Sequence, residues 1–187
     1  WKEATGLEIY EGFGQTETVL CVSTLYPWMK PVPGAMGLPT PGYDVKILDE
    51  NGELSPKGAV GEICIAAESV EKRPRGLLTG YNWSIEDTKK VWHDGFYHTG
   101  DMAYTNEHGY FCYVGRNDDV IKSSGYRIGP FEIESVLLEH PAVLEAAVTG
   151  VPDPIRGFNV KATIVLNKGY APSDELTKDI QNYVKNT

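Results

Sequence analysis

The strongest constraint on the fold of this chain is a change of period part-way along it. In the first two thirds, short apolar runs alternate with polar residues and are bracketed by turn formers. Tyr43 to Leu48 (YDVKIL) alternates, Glu50-Asn51-Gly52 supplies turn chemistry, and Gly61 to Ala66 (GEICIA) reads as a second strand, so a hairpin-like β unit is expected. Ser84 and Asp87 have capping-box spacing and open an amphipathic stretch to Trp92 that Gly95 ends. A short strand at Phe96 to His98, a loop at Thr99-Gly100-Asp101, a turn at Asn106 to Gly109 and a strand at Tyr110 to Val114 (YFCYV) complete this region. After Gly115-Arg116-Asn117-Asp118-Asp119 the pattern changes. Pro130 suits the first turn of a helix carrying Ile133, Val136 and Leu137, which stops at His140-Pro141. Strands at Val143 to Val148 and Val160 to Leu166 follow, then a helix bearing Leu176, Ile180, Tyr183 and Val184. The expected class is mixed α/β: a β-rich part, a boundary near Asp118, and a small α+β part. No internal repeat or low-complexity tract is visible.

Charge narrows the function classes. Lys and Arg number 17 against 26 Asp and Glu, a formal charge of −9. Nucleic-acid affinity comes largely from clustered Lys and Arg neutralising phosphates. The densest basic cluster here, Lys72 to Arg75, is broken by Pro74, so nucleic acid is not expected as a partner. No run approaches the roughly 18 apolar residues of a membrane-spanning helix. Cys21, Cys64 and Cys112 are widely separated and lack CxxC pairing, which suggests neither a disulfide framework nor a zinc knuckle and favours a reducing, cytoplasmic setting. His93, His98, His108 and His140 show no metal-ligand spacing. The chain starts at Trp1 without a signal-peptide pattern and stops at Thr187 just after an apolar helical series, so a piece of a longer polypeptide is expected, with the remainder of its own chain as a missing partner.

The sharpest segment is Tyr10 to Thr18 (YEGFGQTET). Gly12 and Gly14 let backbone approach a flat ligand, Phe13 offers a stacking face, and Thr16 can hydrogen-bond a phosphate. Glu17 suits a hard cation such as Mg²⁺, which takes one or two carboxylates beside phosphate oxygens. Alone, the segment fits a strand end, a Gly-rich turn and a solvated Glu equally well. It is followed by Tyr97 to Asp101 (YHTGD), Gly115 to Asp119 (GRNDD) and Ser123 to Pro130 (SSGYRIGP).

This ordered set resembles the adenylate-forming superfamily of acyl-CoA synthetases, peptide-synthetase adenylation domains and luciferases. The segments GELSPKGAVGEI and HPAVLEAAVTGVPD resemble it too, so the likeness covers nearly the whole chain and is most similar to medium-chain acyl-CoA and acetyl-CoA synthetases. It implies that residues 1–117 are the C-terminal portion of a large nucleotide-binding domain, including a barrel-like subdomain. Residues 118–187 would be a truncated small C-terminal domain. It also implies an activity: a carboxylic acid and ATP give an acyl-adenylate and pyrophosphate, and the acyl group then passes to the thiol of coenzyme A. A mitochondrial matrix location fits if the source is eukaryotic.

By motif, the resemblance implies that Glu11, Gly12, Phe13, Gly14, Gln15 and Thr16 line the adenine and α-phosphate, that Glu17 ligates Mg²⁺, and that Asp101 accepts the ribose hydroxyls. Without the resemblance, Asp101 reads as a turn residue satisfying nearby N–H groups. Arg116 would contact ribose or phosphate, against the alternative of a surface pair with Asp118 or Asp119. Asp118 would be the hinge, against a plain polar linker. Ser124, Gly125 and Tyr126 would face coenzyme A, Arg127 would meet nucleotide phosphate or substrate, and Arg156 is a further coenzyme A candidate. For Gly125 the alternative is a turn that needs positive φ.

In acetyl-specific relatives a Trp stands at the position of Gly14. Its absence suggests room for several methylenes, each worth about 0.8 kcal/mol if buried, hence a medium or branched acid. Two family parts are missing: the Ser/Thr/Gly-rich phosphate loop ending in Lys, and the adenylation Lys in Gly-Lys context, a role that Lys161, Lys168, Lys178 and Lys185 do not match. The polypeptide alone is therefore expected to make no acyl-CoA. The alternatives are a non-catalytic nucleotide-binding or regulatory module, and adenylation with a carrier-protein acceptor.

Overall fold

In a computed structural model, residues 1–186 are described; Thr187, where the sequence stops, lies outside them. The chain divides into two compact units, Trp1–Tyr113 and Val114–Thr187. The division falls a few residues before the Asp118 boundary expected from the sequence.

The first unit opens with a short helix, α1 (Lys2–Thr5), and a three-stranded antiparallel sheet of β1 (Gly12–Gln15), β2 (Val19–Ser23) and β3 (Leu38–Pro39). The expected hairpin forms next: β4 (Val45–Leu48) pairs antiparallel with β5 (Gly61–Ala66). Helix α2 (Ile85–Val91) starts where the capping signal placed it, with the Ser84 hydroxyl accepting the Asp87 N–H at 3.3 Å. Strands β6 (Trp92–His93), β7 (Phe96–Thr105) and β8 (Phe111–Arg116) complete a sheet ordered β4-β5-β7-β6, with β8 also on β7. The strands form because β-branched and aromatic side chains recur at inward positions. Val45, Ile47, Ile63, Ile65, Tyr97 and Phe111 are buried with Cys21, Val22 and Leu77 in one core, each large apolar side chain contributing about 1.5–3 kcal/mol by leaving water.

The barrel-like expectation is corrected: neither sheet closes among the described residues. The outer edge of β4 is already used. Ser55 donates to the Ile47 carbonyl at 2.9 Å and Asp49 to that of Glu53 at 2.8 Å, so the following turn folds back onto the strand that a ring would need.

The second unit is an antiparallel sheet ordered β10-β9-β12-β11, from β9 (Ile121–Ser123), β10 (Tyr126–Ile128), β11 (Val143–Asp153) and β12 (Gly157–Leu166), with helices α3 (Pro130–Glu139) and α4 (Asp174–Asn186). Pro130 sits in the first turn of α3, where its missing N–H costs nothing. Ile121, Leu137, Val143, Val148 and Ile180 form its core, joined by Ile133, Leu176 and Val184. The apolar series read in α4 is thus the face it buries. The β11–β12 hairpin is longer than its apolar stretches suggested, because pairing continues out to Asp153 and Gly157.

Candidate nucleotide and coenzyme A sites

The Thr99-Gly100-Asp101 segment is not a loop between strands but part of β7. Cys64 faces His98 and Glu62 faces Met102, so three residues of β7 oppose Ile63 alone. Gly100 makes this bulge possible at φ 72, a region that other residues enter at a cost. Its polar groups are tied to β5: the Thr99 hydroxyl donates to the Ile63 carbonyl at 2.7 Å and accepts the Asp101 N–H at 3.1 Å. The Gly100 N–H donates to Glu62 Oε1 at 2.8 Å.

The bulge turns the Asp101 carboxylate, only 5% exposed, toward β1. Gln15 Nε2 donates to Asp101 Oδ2 at 2.5 Å and to the Thr99 carbonyl at 2.8 Å, although Gln15 and Asp101 are 86 residues apart in sequence. Tyr113 donates to Asp101 Oδ1 at 3.1 Å. A carboxylate offers about four acceptor positions, and Gln15 and Tyr113 are two of the donors that hold this one in place.

The network continues toward Glu17. Tyr97, 1% exposed, donates to Gln15 Oε1 at 3.2 Å, which fixes which end of that amide faces Asp101. Burial, reinforced by hydrogen-bonded Tyr81 and the charges of Glu17 and Asp101, pushes the Tyr97 phenol far above its ordinary value, so it stays a donor. Tyr81 in turn donates to Glu17 Oε1 at 3.1 Å. The motif residues Gln15, Glu17 and Asp101 therefore lie in one connected set within the first unit. The sequence assigns no role to Tyr81, Tyr97 or Tyr113, because a buried or half-buried Tyr looks like packing until its hydroxyl partner is known.

The rest of the first motif is placed less pointedly. Glu11 is exposed and its carbonyl accepts the Thr24 N–H. Gly12 pairs with Ser23, and Thr16 is exposed in the turn to β2. Phe13 packs on the core with its ring 6.2 Å from that of Tyr113. Gly14 has a local reason: a Cβ there would meet the Val19 carbonyl oxygen at 1.8 Å. The absent side chain fronts the neighbouring strand rather than open space, which removes the geometric premise of the inference from a missing indole to a longer acid.

Beside the bulge, Glu62, Cys64 and His98 bring potential ligand atoms within 4.8 Å, a cross-strand grouping that spacing along the chain does not reveal. His98 links the other two: its Nδ1 lies 3.0 Å from Glu62 Oε2 and 3.4 Å from Cys64 Sγ.

In the second unit, Ser124 (φ 50) and Gly125 (φ 84) form the two-residue turn between β9 and β10. Two positive φ values are the type I′ requirement, so backbone geometry by itself accounts for Gly125. Space beside it is open, since an added Cβ would meet nothing within 4 Å. The Ser124 N–H donates to the Arg156 carbonyl at 2.9 Å, which draws the DPIRG turn against this hairpin tip. Ser124, Gly125, Tyr126 and Arg156 thus share one exposed end of the sheet. Asp153 shapes the second turn by accepting the Ile155 and Arg156 N–H groups, contacts that hold its carboxyl below the usual range. Arg116 donates to Asp118 Oδ1 at 3.2 Å. That is the surface pairing weighed as its alternative, a weak contact at such exposure. Arg127 lies on β10, and Asp118 is exposed in the turn before β9.

Two family models match in succession: the AMP-binding enzyme model over residues 1–73 and the AMP-binding enzyme C-terminal domain over residues 132–187. The chain belongs to the AMP-binding, adenylate-forming enzyme family. It is 53% identical to the mitochondrial acyl-coenzyme A synthetase ACSM3 of Mus musculus, over all of this chain and 32% of that protein. Its fold is similar to that of ATP-bound MatB from Rhodopseudomonas palustris, with TM-score 0.83, 32% identity, 100% of this chain and 35% of the other. It is similar also to the anthranilate CoA ligase AuaEII in complex with anthranoyl-AMP, with TM-score 0.81, 33% identity, 100% of this chain and 34% of the other. The chain spans about a third of the length of the relatives it matches.

Proposed function

We propose that this chain supplies nucleotide and coenzyme A contacts of an ATP-dependent acyl-CoA synthetase. The reaction joins a carboxylate to the α-phosphorus of ATP, releasing pyrophosphate, and the coenzyme A thiol then displaces AMP from the acyl-adenylate. One observation carries the reading: the 2.5 Å bond between Gln15 and Asp101, which unites the two motif segments in a buried polar cradle. In this reading Asp101 accepts the ribose hydroxyls, and Gln15 and Tyr113 keep its carboxylate aimed. Residues Glu11 to Thr16 line the base and α-phosphate.

Glu17 fits a Mg²⁺ site: Tyr81 occupies only Oε1, and Mg²⁺ takes one or two carboxylates alongside water and phosphate oxygens. The cation supplies charge neutralisation on the phosphates; the chain's own part is to hold Glu17 in place through Tyr81. In the second unit, Ser124, Gly125, Tyr126 and Arg156 receive coenzyme A, while Arg116 and Arg127 serve nucleotide phosphate and Asp118 is the hinge between residues 1–117 and 118–187. The substrate is a carboxylic acid, whose chain length Gly14 does not set. A mitochondrial setting is supported by the name of the ACSM3 relative, and no helix among the described residues is long and apolar enough to cross a membrane.

The test is calorimetric titration of the 187-residue chain with AMP. Binding that falls about tenfold or more in Asp101→Ala, the scale for losing a hydrogen bond to a charged group, supports the reading. Equal affinity in wild type and variant sinks it. Incubated with acid, ATP and coenzyme A, the chain alone releases no coenzyme-A-dependent AMP, because the cationic preorganisation of the reaction centre is not in its sequence.

A further inference from the structure

We propose that Glu62, seconded by His98, is a positioning residue for Asp101: it anchors the β7 bulge so that the Asp101 carboxylate is held at the angle a ribose diol requires. The proposal rests on the reading above for the identity of the ligand, and on the hydrogen bonds of the bulge for the role of Glu62.

A bulge that sets three residues against one leaves backbone groups without ladder partners, and an unpaired buried N–H is costly. The N–H of Gly100 is the group at risk, since it sits at the apex of the bulge. Glu62, on the opposing strand, accepts it with Oε1 at 2.8 Å. The other oxygen faces His98 Nδ1 at 3.0 Å, so the carboxylate is fixed at both ends. His98 is fixed in turn: its ring stacks on that of His93 at 3.7 Å, and Cys64 Sγ lies 3.4 Å from the same nitrogen. Its Nε2 is buried with no hydrogen-bond partner among the described residues. Burial would push the Glu62 carboxyl up, but the bonds from His98 and Gly100 outweigh this and hold it below the usual carboxylate value, as expected of a charged acceptor braced by two donors. Gly100 directly precedes Asp101, and Gln15 reaches both Asp101 and the Thr99 carbonyl. Rotation of the Gly100 peptide would therefore move the carboxylate and break both Gln15 contacts. Glu62 reaches the ligand only through the backbone it holds.

The test uses the isotope-labelled 187-residue chain as wild type, Glu62→Ala, Glu62→Gln and Asp101→Ala. Amide exchange decides the brace without any nucleotide. In Glu62→Ala, Gly100 exchange accelerates by about tenfold or more and the Gln15 side-chain amide resonances shift, while distant β11 amides keep their protection. Glu62→Gln retains a carbonyl oxygen for Gly100 and keeps its protection, so it serves as the rescue and stands in if the alanine variant fails to fold. Unchanged Gly100 exchange in Glu62→Ala, or loss of protection in Glu62→Gln equal to global unfolding, overturns the proposal. Titration then compares AMP with 2′,3′-dideoxy-AMP. Glu62→Ala weakens AMP by about tenfold, leaves the dideoxy nucleotide unchanged, and adds nothing in an Asp101→Ala background. Equal weakening of both nucleotides overturns the positioning role. A wild type that binds both alike refutes the ribose reading instead, and the exchange measurement still decides whether Glu62 places Asp101.

Discussion

Asp101 and its neighbours show how a single residue acquires a role from partners elsewhere in the chain. Tyr97→Phe removes one hydroxyl and leaves the Gln15 Oε1 acceptor unpaired. The expected cost is about 1–3 kcal/mol of stability, read from urea unfolding, together with weaker AMP binding; a neutral result on both counts contradicts the network. Glu62 makes a signed prediction for pH. Its folded-state value lies below the ordinary 4.5, so its stabilisation is present above that value and fades as pH falls through the folded-state one. Acid unfolding of Glu62→Gln therefore has a shallower pH dependence in that window than wild type. Of this site, the sequence displayed the donor and acceptor ends, Gln15 and Asp101 respectively, because they lie in recognisable motifs. It did not display Tyr81, Tyr97, Tyr113 or Glu62, since a hydroxyl or carboxylate gains meaning only from the strand set opposite it. Gly14 was legible as a close approach, but the approaching group is the Val19 backbone rather than a ligand.

At the level of the element, locally encoded features were the most readable. Ser84 and Asp87 announced α2 because a cap is satisfied within one turn of the chain. Ser84→Ala is expected to cost about 1 kcal/mol, measurable as a lowered unfolding midpoint; an unchanged midpoint would mean that tertiary packing alone holds α2. Pro130 marked α3 for the same local reason. The bulge is hidden in the sequence because Thr-Gly-Asp has the chemistry of a loop, and only pairing with β5 shows the strand passing straight through it. Gly14→Ala tests the register of β1 against β2. The 1.8 Å approach requires the hairpin to part, so this substitution lowers the unfolding midpoint by more than the Ser84 change does.

For the whole molecule, the three cysteines offer a probe of integrity. Cys21, Cys64 and Cys112 are all buried and free, and burial raises each thiol above its ordinary value. Native protein should react slowly with a thiol reagent and denatured protein promptly at all three; fast native labelling would show that the first core is loose. The two-part division was visible as a change of period, and its exact place was not, because β8 runs across it with no Gly- or Pro-rich break. Arg116 to Asp119 are exposed, so brief trypsin treatment is expected to cut first after Arg116. The three-for-one step in β7 also limits how this family's chains can vary in length. Side chains alternate along a strand, so losing one residue between His98 and Met102 would move every later position of β7 to the opposite face and bring the larger Tyr104 to the fully buried place of Ala103. In that stretch the spacing is as much a part of the message as the letters.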